Sequence, residues 1–144
     1  MDSISDKTSD GLPMDNAAPF VERPLTEKER SIVVWLLQHG NEEASKYLPQ
    51  VEKATVVGRC PCGYDTIYFA ISGHRPENDG MNVLSNYYWV DDDGHTNGIF
   101  VYSISGQLAG LEVYTCDGVY DKVRAPDPIR LIRMPPQQDV ESYQ

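Results

Sequence analysis

The stretch IFVYSISGQLAGLEVYT, residues 99–115, decides the fold class. Two runs rich in β-branched and aromatic residues, Ile99 to Ser105 and Leu108 to Thr115, flank Ser105-Gly106-Gln107. A short glycine-containing break between two such runs is the signature of a β-hairpin. Within the second run, period-2 alternation sets Leu111 and Val113 on one face. Glu112 then falls on the other, with Tyr114 and Cys116.

Working outward, Asp117-Gly118 closes the second strand, and Asp91 to Gly98 reads as the turn before the first. Upstream, Val83 to Val90 is an aromatic-rich strand and His74 to Gly80 a polar loop. Asp65 to Ser72 alternates Ile67, Phe69 and Ile71 against Thr66, Tyr68 and Ala70. Val51 to Arg59, with Thr55, Val56 and Val57, is a further strand, and Cys60-Pro61-Cys62-Gly63 turns between the two. Downstream, Pro126 and Pro128 lead into the apolar piece Ile129 to Ile132, expected to dock on a sheet edge.

The period changes before Val51. Thr26 and Glu29 have capping-box spacing, and Ile32, Val33, Leu36 and Leu37 recur at helical spacing, with Trp35 flanking the stripe. The helix spans about residues 27–39, and Gly40 stands where a left-handed C-terminal residue is wanted. Asn41 caps a second short helix with Ala44, Tyr47 and Leu48 on its apolar side, and Pro49 is expected to stop it. The fold class is therefore α+β, two N-terminal helices packed on an antiparallel sheet of about five strands. The domain is expected over 25–134. The segments 1–24 and 135–144, poor in regularly spaced apolar residues, are expected to be disordered tails.

The 144 residues carry 22 acidic and 12 basic side chains, a net charge of −10. That balance repels phosphate backbones, and no basic stripe offsets it, so nucleic acid is not an expected partner. A helix-turn-helix over 26–48 fails for the same reason, since Glu42 and Glu43 outweigh Lys46 on the second helix. No apolar run approaches a membrane span, and no signal peptide is apparent, so a cytoplasmic location is expected and no membrane partner.

Three cysteines, two of them separated by one residue, make a poor disulfide framework, and reduced thiols are expected. Cys60, Cys62 and Cys116, with one histidine, are the weak candidates for a metal site. The one-residue gap departs from the two-residue spacing that brings paired thiolates onto zinc, so no metal and no cofactor are expected. Asp91-Asp92-Asp93-Gly94-His95 does not continue as a calcium loop, because the twelfth position is Tyr102. His39, His74 and His95 are scattered, and His39 suits a helix C-terminus. Neither a nucleophile elbow nor a phosphate loop occurs. Glu112 is the one strand acid placed to serve as a general base.

Three segments, Leu25-Thr26-Glu27-Lys28-Glu29-Arg30, Val57-Gly58-Arg59-Cys60-Pro61-Cys62-Gly63 and Gly106-Gln107-Leu108-Ala109-Gly110-Leu111-Glu112-Val113-Tyr114, resemble a group of small bacterial proteins of unknown function, over about residues 24–133. Members often carry a further cysteine after the Cys-x-Cys-Gly turn, where Tyr64 stands here. The resemblance implies a bacterial, cytosolic, single-domain protein and supplies no catalytic residue.

Tyr87, Tyr88, Trp89, Tyr102, Tyr114 and Tyr120 all lie in the second half of the chain. Size, acidity and these aromatics point to a small intracellular protein-binding module, of the kind that includes immunity proteins and antitoxins. Its partner is expected to be a basic protein such as a toxin. Tyr87 and Trp89 are expected as anchors and Asp91, Asp92 and Asp93 as steering charges. The alternatives are a Cys-based metal-binding domain and an enzyme built around Glu112.

Overall fold

The computed structural model describes residues 21–60, 65–77, 80–116, 126 and 131–133. The expected tails therefore fall largely outside the described residues, as do Cys62 and Tyr120. The architecture is α+β. Strands β1 (Arg23–Pro24), β2 (Ala54–Arg59), β3 (Ile67–Ile71), β4 (Met81–Val90), β5 (Thr96–Ile104), β6 (Gln107–Thr115) and β7 (Ile132–Arg133) form one sheet. Its order is β1-β2-β3-β6-β5-β4-β7, and every pairing is antiparallel. The sheet thus has more strands than the five expected. The additions, β1 and β7, are two-residue pairings on the two outer strands, too short to carry a period-2 signal.

Glu22–Pro24, assigned from sequence to the tail, belongs to the sheet edge. Thr55 Oγ1 donates to Glu22 Oε2 at 2.6 Å, and Arg23 makes a two-pronged contact with Glu29 at 2.8 and 2.9 Å. Covering part of β2 in this way blunts an edge open to strand addition.

Helix α1 (Glu27–Gln38) starts where its capping box predicts. Glu29 N donates to Thr26 Oγ1 at 3.1 Å, and Thr26 N donates back to Glu29 Oε1 at 2.9 Å. Its stripe of Ile32, Val33, Leu36 and Leu37 is buried in one core with Val56, Phe69, Leu84, Ile99, Val101, Leu111 and Val113.

Gly40 corrects a detail. Its φ is not positive, so left-handed geometry does not select it. Close approach does. A Cβ there would strike the Leu84 carbonyl oxygen, and would lie 2.7 Å from Ala44 Cβ and 2.8 Å from Ser85 Cβ. The next residue completes the dock, with Asn41 N donating to Leu84 O at 2.8 Å and Asn41 Nδ2 to Val83 O at 3.1 Å. Helix and β4 are thereby joined at the β4 bulge, between Val83 and Ser85.

Beyond Asn41 the second helix departs from expectation. Asn41 Oδ1 does accept from the amides of Glu43 and Ala44. However, Ala44–Tyr47 is a 3-10 turn, and α2 (Leu48–Val51) starts at Leu48 with Pro49 in its first turn. Proline lacks only an N–H that is unused there, so it starts this helix rather than stopping it.

Two Ser-Gly pairs fix the tight turns. Ser105 (φ 50°) and Gly106 (φ 80°) join β5 to β6, and Ser72 (φ 51°) and Gly73 (φ 82°) follow β3. Positive φ at both central residues is the turn geometry whose twist matches that of paired strands.

Gly40→Ala is expected to destabilise by about 3 kcal/mol, because backbone on one side and Ala44 on the other leave no room to relax. Chemical denaturation would measure it. Leu36→Ala, at a fully buried position, should cost about 2–5 kcal/mol.

Glu29 supplies a pH test. Partial burial alone would raise its carboxyl, but the Arg23 guanidinium and the Thr26 backbone and hydroxyl outweigh burial and hold it below its usual value. A depressed carboxyl contributes stability above its unfolded pKa and loses it as pH falls through the folded value. Both side chains are partly exposed, so Arg23→Ala should cost at most about 1 kcal/mol at pH 7. That cost should shrink and vanish as acidification protonates Glu29.

Candidate functional site

The expected anchors, Tyr87 and Trp89, lie in the hydrophobic core at 6% and 2% exposure. Tyr87 donates to the His39 carbonyl at 2.6 Å and packs edge-on to Trp35, which stacks on His39. Their placement on a binding face is therefore corrected. The physical reason is the bulge between Val83 and Ser85, where an extra residue lets both Leu84 and Tyr87 point to the core.

Asp91 is engaged within its own turn. Its Oδ1 accepts from the amides of Asp93 and His95, both at 3.0 Å, and its Oδ2 from Asn97 Nδ2 at 2.9 Å. These bonds, Asn97 first, hold its carboxyl below the ordinary value. Asp92 and Asp93 are exposed at the tip of the same turn.

Cys60 is disulfide-bonded, contrary to the expected reduced thiols, while Cys116 is exposed and outside any disulfide. A metal needs a thiolate, which a disulfide sulfur does not offer. Among the described residues no group of three or more His, Cys, Asp or Glu side chains is placed to hold an ion.

The opposite face of the sheet, helix-free among the described residues, holds a different cluster. On β5, Ile99 and Val101 point to the core, so Thr96, Gly98, Phe100, Tyr102 and Ile104 alternate onto the other side. Directly paired residues share a face. Register therefore adds Asn86, Tyr88, Val90, Val83 and Met81 from β4, and Gly110, Glu112 and Tyr114 from β6. Tyr68 joins from β3 through its pairing with Gly110. Three of these residues, Met81, Val83 and Val90, are large apolar side chains at 50%, 39% and 46% exposure.

Glycine and tyrosine alternate across this face. Gly110 lies under Tyr102, whose Oη and Cζ would sit 2.5 and 2.7 Å from an added Cβ. Gly98 lies under the ring of Tyr114, and Gly58 under that of Tyr68. Each glycine leaves its strand without a side chain, and the cross-strand ring covers the bare backbone.

Glu112 stands among these rings, opposite Phe100. Burial pushes its carboxyl up, opposed only by the Thr66 hydroxyl. Burial raises the Tyr102 phenol to about 12, with Glu112 and Tyr68 adding to it. Tyr68 is raised by burial and then by Glu112. Tyr114 is raised by burial and by Cys116, against its hydrogen bond to Asn86. The β3–β6 pairing that sets this geometry is short, and Thr66 extends it. Val113 N donates to Thr66 Oγ1 at 2.8 Å, and that hydroxyl donates to Val113 O at 3.1 Å.

Alternation alone places Glu112 with Tyr114. Phe100, Tyr68 and Val83 emerge only from the cross-strand pairings of β6, β3, β5 and β4. Comparison of the chain with protein-family models, curated proteins and solved structures finds no match. No helix among the described residues is long and apolar enough to cross a membrane.

Gly110→Ala should destabilise by about 1–3 kcal/mol, because the Tyr102 ring above it is itself buried and has little room to move. Gly98→Ala should cost less, since Tyr114 is only half-buried and can swing outward. Thr66→Val should cost about 1–3 kcal/mol by orphaning the Val113 amide. Equilibrium unfolding of the three variants would rank them.

Proposed function

We propose that this domain is a protein-binding module, of the immunity or antitoxin kind, whose helix-free sheet face receives a basic protein partner. The observation that supports it is the coexistence, on that one face, of exposed Met81, Val83 and Val90 with the half-buried Phe100 and Tyr114 rings. Rigid aromatics and contiguous exposed apolar side chains are the usual anchors of protein interfaces. They replace Tyr87 and Trp89 in that role.

The net charge of −10 complements a basic surface. Asp92 and Asp93, at the tip of the turn that follows Val90, are placed to steer its approach, whereas Asp91 keeps the turn in shape.

Capture from native lysate should recover a basic protein with the wild-type chain. Val83→Ser and Phe100→Ala should lose it while retaining the fold. Association should slow as salt rises toward about 0.5 M, because screening shortens the reach of the acids. Asp92→Asn with Asp93→Asn should lower the on-rate more than it raises the off-rate. A partner retained equally by the face variants would refute the assignment of this face.

A further inference from the structure

We propose that the helix-free face carries a seat for one arginine side chain of the protein partner, built from the Glu112 carboxylate and the rings of Phe100, Tyr102, Tyr114 and Tyr68. The proposal rests on the partner-binding role above and names the chemistry that face selects.

The sheet register assembles the seat from three strands. Phe100 lies directly across β5 from Glu112, and Tyr114 is two residues along β6 on the same side. Tyr102 and Tyr68 both pair with Gly110, one from β5 and one from β3, so both share the face of Glu112, the Tyr102 ring lying over Gly110 and the Tyr68 ring over Gly58. The Phe100 ring meets those of Tyr102 and Tyr114 at centroid distances of 5.8 and 6.0 Å, tilted by 51° and 58°. Phe100, Tyr114 and Tyr68 are half-buried, while Tyr102 is buried.

Within this ring of aromatics stands a single acid. None of the ion pairs among the described residues involves Glu112. Desolvation raises its carboxyl, the Thr66 hydroxyl opposes that, and no cation among the described residues pairs with it. An acid kept at such a place destabilises the free domain and gains a counter-charge only when something cationic arrives.

The surrounding chemistry selects guanidinium over ammonium. Guanidinium is planar, stacks on aromatic faces and binds a carboxylate through two parallel N–H donors. It is also more weakly hydrated, so it enters a half-buried site at smaller cost. Cation–π attraction to the half-buried Phe100 and Tyr114 rings adds to the carboxylate contact.

The test titrates the full-length protein with N-acetyl-arginine amide, followed by NMR. The neutral isostere N-acetyl-citrulline amide and the lysine counterpart serve as parallel probes. The arginine probe should shift Phe100, Glu112 and Tyr114 resonances, the lysine probe should shift them less, and citrulline should leave them unmoved. Glu112→Gln, which removes a poorly solvated charge and should fold normally, should weaken arginine binding at least about tenfold. Phe100→Leu should weaken it while leaving Glu112 in place. Equal binding of citrulline, unchanged binding in Glu112→Gln, or no shifts at this face would overturn the proposal. If Val83→Ser abolishes capture of the partner but Glu112→Gln does not, the seat is wrong and the binding face stands. If the probe binds at Glu112 while capture ignores the face, the seat stands and the partner-binding assignment fails.

Discussion

The register of β5 against β6 is set by the Ser105-Gly106 turn, both residues with positive φ, together with a bulge that shifts the pairing by one residue between Tyr102 and Ser103. A two-residue turn of this kind permits one pairing, here Ile104 opposite Gln107. A slip by one residue would send every side chain of a strand to the other face. With the observed pairing, Ile99, Val101, Leu111 and Val113 meet the stripe of α1. Phe100, Tyr102, Glu112 and Tyr114 meet one another on the far side. Core and candidate site are thus two outcomes of one turn and the bulge that follows it.

A single twelve-residue helix can cover only one face of such a sheet. The other face keeps its order by its own means. Tyrosine rings lie across glycines on neighbouring strands, and Thr66 lends its hydroxyl to β6 where β3 ends. These devices leave an aromatic, partly apolar surface with one acid in it. Burying that acid costs stability, and features that cost stability cluster at functional sites.

Much of the fold is legible in the chain. The capping box at Thr26 and Glu29, the stripe from Ile32 to Leu37 and the alternation around Glu112 each carry a local physical signal. The misplaced features carry none. Bulges are the clearest case. Alternation read along β4 gives a pattern but not its phase, and the extra residue between Val83 and Ser85 moves Tyr87 and Trp89 into the core. Edge strands of two residues, such as β1, are settled by tertiary contacts like Arg23 with Glu29, which no window of sequence contains. Pro49 shows the same ambiguity, since a proline that ends one turn can begin the next. The site was half visible, through Glu112 and its strand, while its aromatic neighbours required the cross-strand pairing.

The most direct measurement is a carbon-detected NMR titration of the Glu112 side chain in the free protein. Burial among Phe100, Tyr102 and Tyr68 without a cation predicts a midpoint above the usual glutamate value of about 4.3. It also predicts that the Phe100 and Tyr102 ring resonances move with the same midpoint. A midpoint at or below the usual value, with no response from those rings, would contradict the placement of Glu112 in a desolvated aromatic site.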